Sequence, residues 1–99
     1  MSDLPPGVTL EETWLIEATY APDAAETRGA FRAEHLGRIV ELREAGVIVE
    51  AGGLADFSAS ILFVRADSEA AALAIARDDV YMANGVWVEV RARKLIRVT

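Results

Sequence analysis

Apolar and polar positions alternate from Thr13 to Tyr20, with Trp14, Ile16, Ala18 and Tyr20 on one side and Thr13, Leu15, Glu17 and Thr19 on the other. A period of two carried by β-branched and aromatic residues predicts a strand, and Ala21-Pro22-Asp23 ends it. Asp23 suits a helix N-cap, and apart from single glycines at 29 and 37 nothing strong enough to stop a helix appears before Gly46, so one helix is predicted over about 24–45. At ~100° per residue, Phe31, Ile39 and Leu42 share a face of that helix. Arg28, Arg32 and His35 project into the same arc or its edge, which places polar groups on a side meant for the core.

The second strand is Val47–Ala51, followed by the turn Gly52-Gly53-Leu54-Ala55-Asp56 and a third strand, Ser60–Ala66, apolar on both faces for most of its length. Ser68 or Asp67 caps an alanine-rich helix over about 69–77, the segment 78–85 reads as a turn, and the last strand runs from Val86 to about Ile96. The order β-α-β-β-α-β is that of an α+β, ferredoxin-like fold: a four-stranded antiparallel sheet with two helices on one face. Because strands three and four read as apolar on both sides, the open sheet face is expected to be covered by a second copy, giving a homodimer.

Length and charge narrow the partners. The chain has 99 residues, 53% of them hydrophobic, enough for one domain; residues 13–99 are assigned to it, and residues 1–12, with Pro5-Pro6-Gly7, to a flexible N-terminal arm. No stretch approaches a membrane span and no secretory signal is visible, so a cytoplasmic protein is expected. A net charge of −6 argues against nucleic acid and anionic membranes as partners. The cluster Arg91, Arg93, Lys94 and Arg97 reads as a solvated strand edge. Gly52-Gly53 lacks the strand-to-helix setting of a phosphate loop.

With no cysteine and one histidine, thiol nucleophiles and multi-histidine metal sites are excluded, and no metal or cofactor is expected. Proton chemistry must then run through His35 and neighbouring carboxylates, tyrosines or serines. The bland alternative is a core histidine satisfied by a carbonyl or a carboxylate. Asp78 and Asp79, at the end of the second helix, oppose its macrodipole and require a compensating partner.

The dispersed pattern Arg32-x-x-His35-Leu36, Gly46, Gly52-Gly53-Leu54-x-Asp56, Ser60, Asp79-Val80-Tyr81 and Gly85-Val86 resembles the YCII-related family. That resemblance implies a dimeric α+β barrel with a cleft between sheet and helices, lined by His35 and Asp79 as an acid–base pair. It also implies small cyclic or aromatic substrates, since relatives include a dehydrochlorinase of a chlorinated hydroxyhydroquinone. Val80 and Gly53 stand where the family usually has proline, so both loops are expected to be looser. In such a pair the aspartate fixes the imidazole tautomer and the other ring nitrogen acts as general base. Arg32 is the candidate to hold a carboxylate or enolate, and Ser60 and Tyr81 to donate hydrogen bonds to substrate. The expected function is a cofactor-independent lyase, isomerase or dehydrochlorinase acting on a small cyclic or carbonyl compound. The alternative is a non-catalytic dimeric module that binds a small ligand or assembles with another protein.

Overall fold

The alternating segment becomes the inner strand that organises the sheet. In the computed structural model, which describes residues 3–99, β1 spans Leu10–Tyr20. It begins at Leu10 rather than Thr13 because Leu10–Glu12 pair in antiparallel register with Ile96–Val98. Pro5-Pro6-Gly7 lies outside regular structure; Met1 and Ser2 of the expected arm lie outside the described residues. The other strands are β2 (Ile48–Gly53), β3 (Ala59–Val64) and β4 (Trp87–Val98), and the spatial order β2-β3-β1-β4 is that of a ferredoxin-like α+β fold.

Between β1 and β2 the chain forms α1 (Ala24–Thr27), a 3₁₀ turn over Arg28–Ala30, and α2 (Arg32–Glu44). The single helix predicted over 24–45 is therefore broken. Gly29 lies inside the 3₁₀ turn, and Phe31 leaves helical geometry at φ −116°, ψ −2°, so the ladder restarts at Arg32. Asp23 also differs from expectation: at φ −100°, ψ 14° it lacks the extended backbone of a side-chain cap and makes no capping hydrogen bond. The second helix, α3 (Glu69–Arg77), matches its predicted span. Of its two candidate caps Ser68 is the one used, with an extended backbone and its hydroxyl accepting the Ala71 N–H at 3.0 Å. The segment expected as a turn contains one more helical turn, α4 (Val80–Ala83).

Register decides which side chains meet. Ile16 faces Leu62 across the β1–β3 ladder, Trp14 faces Val64 and Ala18 faces Ser60. This face, with Ile48 of β2, packs beneath Ile39 of α2 and Ala72 and Ala76 of α3 in one core. Burying each large aliphatic side chain contributes about 1.5–3 kcal/mol. The other face keeps Leu15, Ile61 and Phe63 half-buried. Strand four is not apolar there as expected: Glu89, Arg91 and Arg93 lie opposite Thr19, Glu17 and Leu15, so β4 lends that face charge instead of core.

Candidate active site

The buried stripe of α2 is His35 and Ile39, extended by the half-buried Phe31 and Leu42 at helical spacing. A histidine on such a stripe needs a polar partner. It finds one in the link between α3 and α4. Asp78 ends α3, and Asp79 turns to an extended backbone (φ −76°, ψ 146°) and opens α4, its Oδ1 accepting the Tyr81 N–H at 2.9 Å. The electrostatic conflict read from the sequence is thereby resolved for Asp79, which occupies the favourable N-terminal end of a new helix.

The same Oδ1 accepts a hydrogen bond from His35 Nδ1 at 2.8 Å, while Oδ2 accepts from Arg38 Nη1 at 3.1 Å. Asp79 is fully buried and His35 is 7% exposed. Burial alone would push the Asp79 carboxyl up, but the hydrogen bonds from His35, the Tyr81 N–H and Arg38, with the electrostatic pull of His35, hold it below the ordinary aspartate range. An ionised carboxylate only accepts, so Nδ1 carries a proton, and in the neutral ring the lone pair is then on Nε2. Nε2 has no hydrogen-bond partner among the described residues and is not among the polar atoms sealed from solvent.

Aromatic rings hold the imidazole in place. Tyr81 stacks on His35 with centroids 3.9 Å apart and planes 10° from parallel. Trp87 meets both rings edge-on, at 5.2 Å from His35 and 5.5 Å from Tyr81. Burial, then the nearby Tyr20 and Asp79, raise the Tyr81 hydroxyl pKa against the opposing pull of Arg28 and Arg32, so Tyr81 is a neutral donor near neutral pH.

The five residues singled out in the sequence are thus not all in one contact network. His35, Asp79 and Tyr81 touch one another. Ser60 is buried, and its hydroxyl donates to the Tyr20 oxygen at 2.8 Å. Arg32 is exposed and makes no hydrogen bond or ion pair with the described residues; the guanidinium on Asp79 belongs to Arg38, one turn beyond His35 on the side facing α4. Arg38 and Asp78 also line a groove of about 580 Å³ between α2 and α4, so Arg38 stands between Asp79 and water. Sequence reasoning missed Arg38, Tyr20 and Trp87. The i+3 spacing from His35 to Arg38 was the one available signal. Among the described residues no group of three or more His, Cys, Asp or Glu side chains is arranged to hold a metal ion, and no helix is long and apolar enough to cross a membrane.

The model of the YCII-related domain matches residues 13–96, most of the chain. The chain belongs to the YCII-related family. No curated protein matches its sequence significantly. Among solved structures, this YCII-related chain is similar to the 5-chloro-2-hydroxyhydroquinone dehydrochlorinase TftG from Burkholderia phenoliruptrix AC1100, in complex with 2,5-dihydroxybenzoquinone. The TM-score is 0.69 at 20% identity, covering 88% of this chain and 93% of that one. It is also similar to Rv0793 from Mycobacterium tuberculosis, with a TM-score of 0.49 at 22% identity and the same coverage. At such identities the likeness to TftG concerns the fold.

Proposed function

We propose that this YCII-related protein is a cofactor-independent acid–base enzyme of the lyase or isomerase type, with His35 as general base and Asp79 as its positioning partner. The observation that carries the proposal is the buried 2.8 Å bond from His35 Nδ1 to Asp79, which leaves Nε2 unpaired. A base so oriented accelerates proton transfer by about 10²- to 10⁴-fold. The aromatic surroundings of His35 suit a small flat substrate, and TftG's named substrate supplies the first compound to try. In dehydrochlorination Nε2 takes a hydroxyl proton from the keto tautomer of the chlorinated ring. The freed electron pair shifts through the ring and chloride leaves with the C–Cl pair, so that HCl is lost and no external oxidant is consumed. In this reading Tyr81 is the donor to substrate and Arg32 the outer cation, while Ser60, whose hydroxyl donates to Tyr20, acts through that residue. We further propose a cytoplasmic homodimer paired through the open sheet face around Leu15, Ile61 and Phe63.

The test is chloride release from 5-chloro-2-hydroxyhydroquinone by the wild type and by His35→Gln, normalised to folded protein. Glutamine keeps polarity but cannot cycle a proton, so turnover should fall roughly 10²-fold or more while 2,5-dihydroxybenzoquinone still binds. Full turnover by the variant removes His35 from the mechanism, and no chloride release by the wild type overturns the dehydrochlorinase reading.

A further inference from the structure

The end of β1 carries a second built cluster. The register shifts between Thr19 and Tyr20, so that Tyr20 comes opposite Trp87. Such bulges re-aim a side chain. The Tyr20 hydroxyl accepts from Ser60 Oγ at 2.8 Å, which leaves its own proton free to donate, and no acceptor for it is found among the described residues. The glycine backbone of Gly53 borders the hydroxyl; a Cβ added there would lie 3.7 Å from the Tyr20 oxygen.

The ring of Tyr20 is held as firmly as its hydroxyl. Phe57 stacks on it at 4.5 Å with planes 26° apart, and the Arg28 guanidinium lies 4.3 Å above the Phe57 ring. Phe57 is the one non-glycine residue at positive φ (+62°) among the described residues, a costly conformation for a bulky side chain. The turn enforces it: Asp56 Oδ1 accepts both the Ser58 N–H at 3.0 Å and the Ser58 hydroxyl at 2.6 Å, and the Phe57 N–H donates to Leu54 O at 3.0 Å. The Arg28, Phe57 and Tyr20 cluster is joined to the His35 site through Trp87, which lies opposite Tyr20 in the β1–β4 ladder and meets the imidazole edge-on at 5.2 Å. Arg28, Arg32 and Tyr20 all act electrostatically on the Tyr81 hydroxyl, in keeping with that proximity. In a chain of net charge −6, an anionic ligand can be received only where cations are gathered locally.

We propose that the Tyr20 hydroxyl, backed by the Arg28 charge, is the specificity-determining pole of the site and selects flat substrates bearing an ionised oxygen, an enolate or phenolate. Ser60 and Phe57 are its positioning residues. The inference rests on the acid–base reading above for the location of the reacting end, but its test needs only binding. The probes are 2,5-dihydroxybenzoquinone, a vinylogous acid that is ionised at neutral pH, and hydroquinone, which is neutral there; affinities are measured by calorimetry on the full chain. Tyr20→Phe keeps the ring and the stack and removes the hydroxyl, which is both the donor offered to the ligand and the acceptor of the Ser60 bond. It should weaken the ionised probe about 10-fold or more, because hydrogen bonds to charged groups are the strong ones, while hydroquinone affinity changes less than about twofold. Arg28→Gln should reproduce that selective loss, and Arg28→Lys should restore only part of it, since lysine keeps the charge but not the planar stack. Equal losses for both probes, or none, in Tyr20→Phe overturn the proposal, as does a wild type that fails to bind the ionised probe at millimolar concentration. His35 is judged separately by turnover, so a wild type that binds selectively without releasing chloride sinks the dehydrochlorinase reading and leaves this one standing.

Discussion

Replacing Asp79 by asparagine separates charge from shape at the one group that serves both the fold and the candidate chemistry. Asparagine is isosteric but presents one acceptor atom and one donor atom. Its best orientation keeps the oxygen toward His35 Nδ1 and the Tyr81 N–H and turns the amide NH₂ toward Arg38 Nη1, where two donors now face each other. The reverse flip is worse, since it sets NH₂ against two donors. The variant therefore loses one charge-assisted bond outright and weakens two others. Hydrogen bonds to charged groups contribute about 1.5–3 kcal/mol, and Arg38, whose side chain is 27% exposed, regains part of its loss by hydration. A net cost of about 2 kcal/mol follows, which for a domain of this size lowers the melting temperature by roughly 8–16 °C.

The pH dependence is the sharper assay. The folded Asp79 carboxyl titrates below its unfolded value, which is about 3.9. The stabilisation is then fully present above the unfolded value and is lost as pH falls through the folded one. Urea midpoints of wild type and Asp79→Asn should differ most near pH 7 and converge as acid protonates the wild-type carboxylate. A difference that stays constant from pH 7 to about pH 2.5 would refute the assignment of Asp79 as a buried, ionised acceptor.

Ser68→Ala should cost about 1 kcal/mol by removing the only side-chain cap on α3, read as a lowered urea midpoint with unchanged slope. Phe63→Glu should convert the proposed homodimer to monomer in light scattering without unfolding it, because Phe63 is half-buried on the open face; a variant that stays dimeric places the interface elsewhere.

The first and last strands were legible from alternation at period two and the middle two from short apolar runs, though Gly52-Gly53, read as a turn, close β2; Ile16, Ala18, Leu62 and Val64 fall in register on the buried face. The broken first helix was not, because the sequence from Ala24 to Ala45 holds no proline. What interrupts it is a 3₁₀ turn around Gly29 and the geometry of Phe31, choices settled by packing rather than by propensity. Within the site, His35 stood out as a polar residue on an apolar stripe and Asp79 as a carboxylate at odds with a helix dipole, so each was marked by a local violation that called for a partner. Arg38 broke no rule, for an arginine on an outer helical face is ordinary, and its place on Asp79 depends on where α4 lies. Tyr20 was equally silent: it reads as the last member of an alternating strand, and only the bulge, the Phe57 turn and Ser60 distinguish it from Trp14 at the other end of the same stripe.

That distribution of signals bears on how structure and chemistry divide their claims on Asp79. One oxygen caps α4 and holds His35, so the carboxylate cannot shift toward one task without weakening the other. A purely structural histidine would not need Nε2 left open, since a buried ring gains most when both nitrogens are paired. A purely catalytic carboxylate would not need Arg38, whose bond to Oδ2 holds the second oxygen and lowers the carboxyl's tendency to take the proton from Nδ1. Arg38 therefore adds to the hydrogen bonds from His35 and the Tyr81 N–H that hold Asp79 ionised. Arg38→Gln should raise the Asp79 pKa while leaving the His35 contact in place. Following the carboxyl by ¹³C NMR tests this, and an unchanged titration would mean that the α4 cap and His35 alone keep Asp79 ionised.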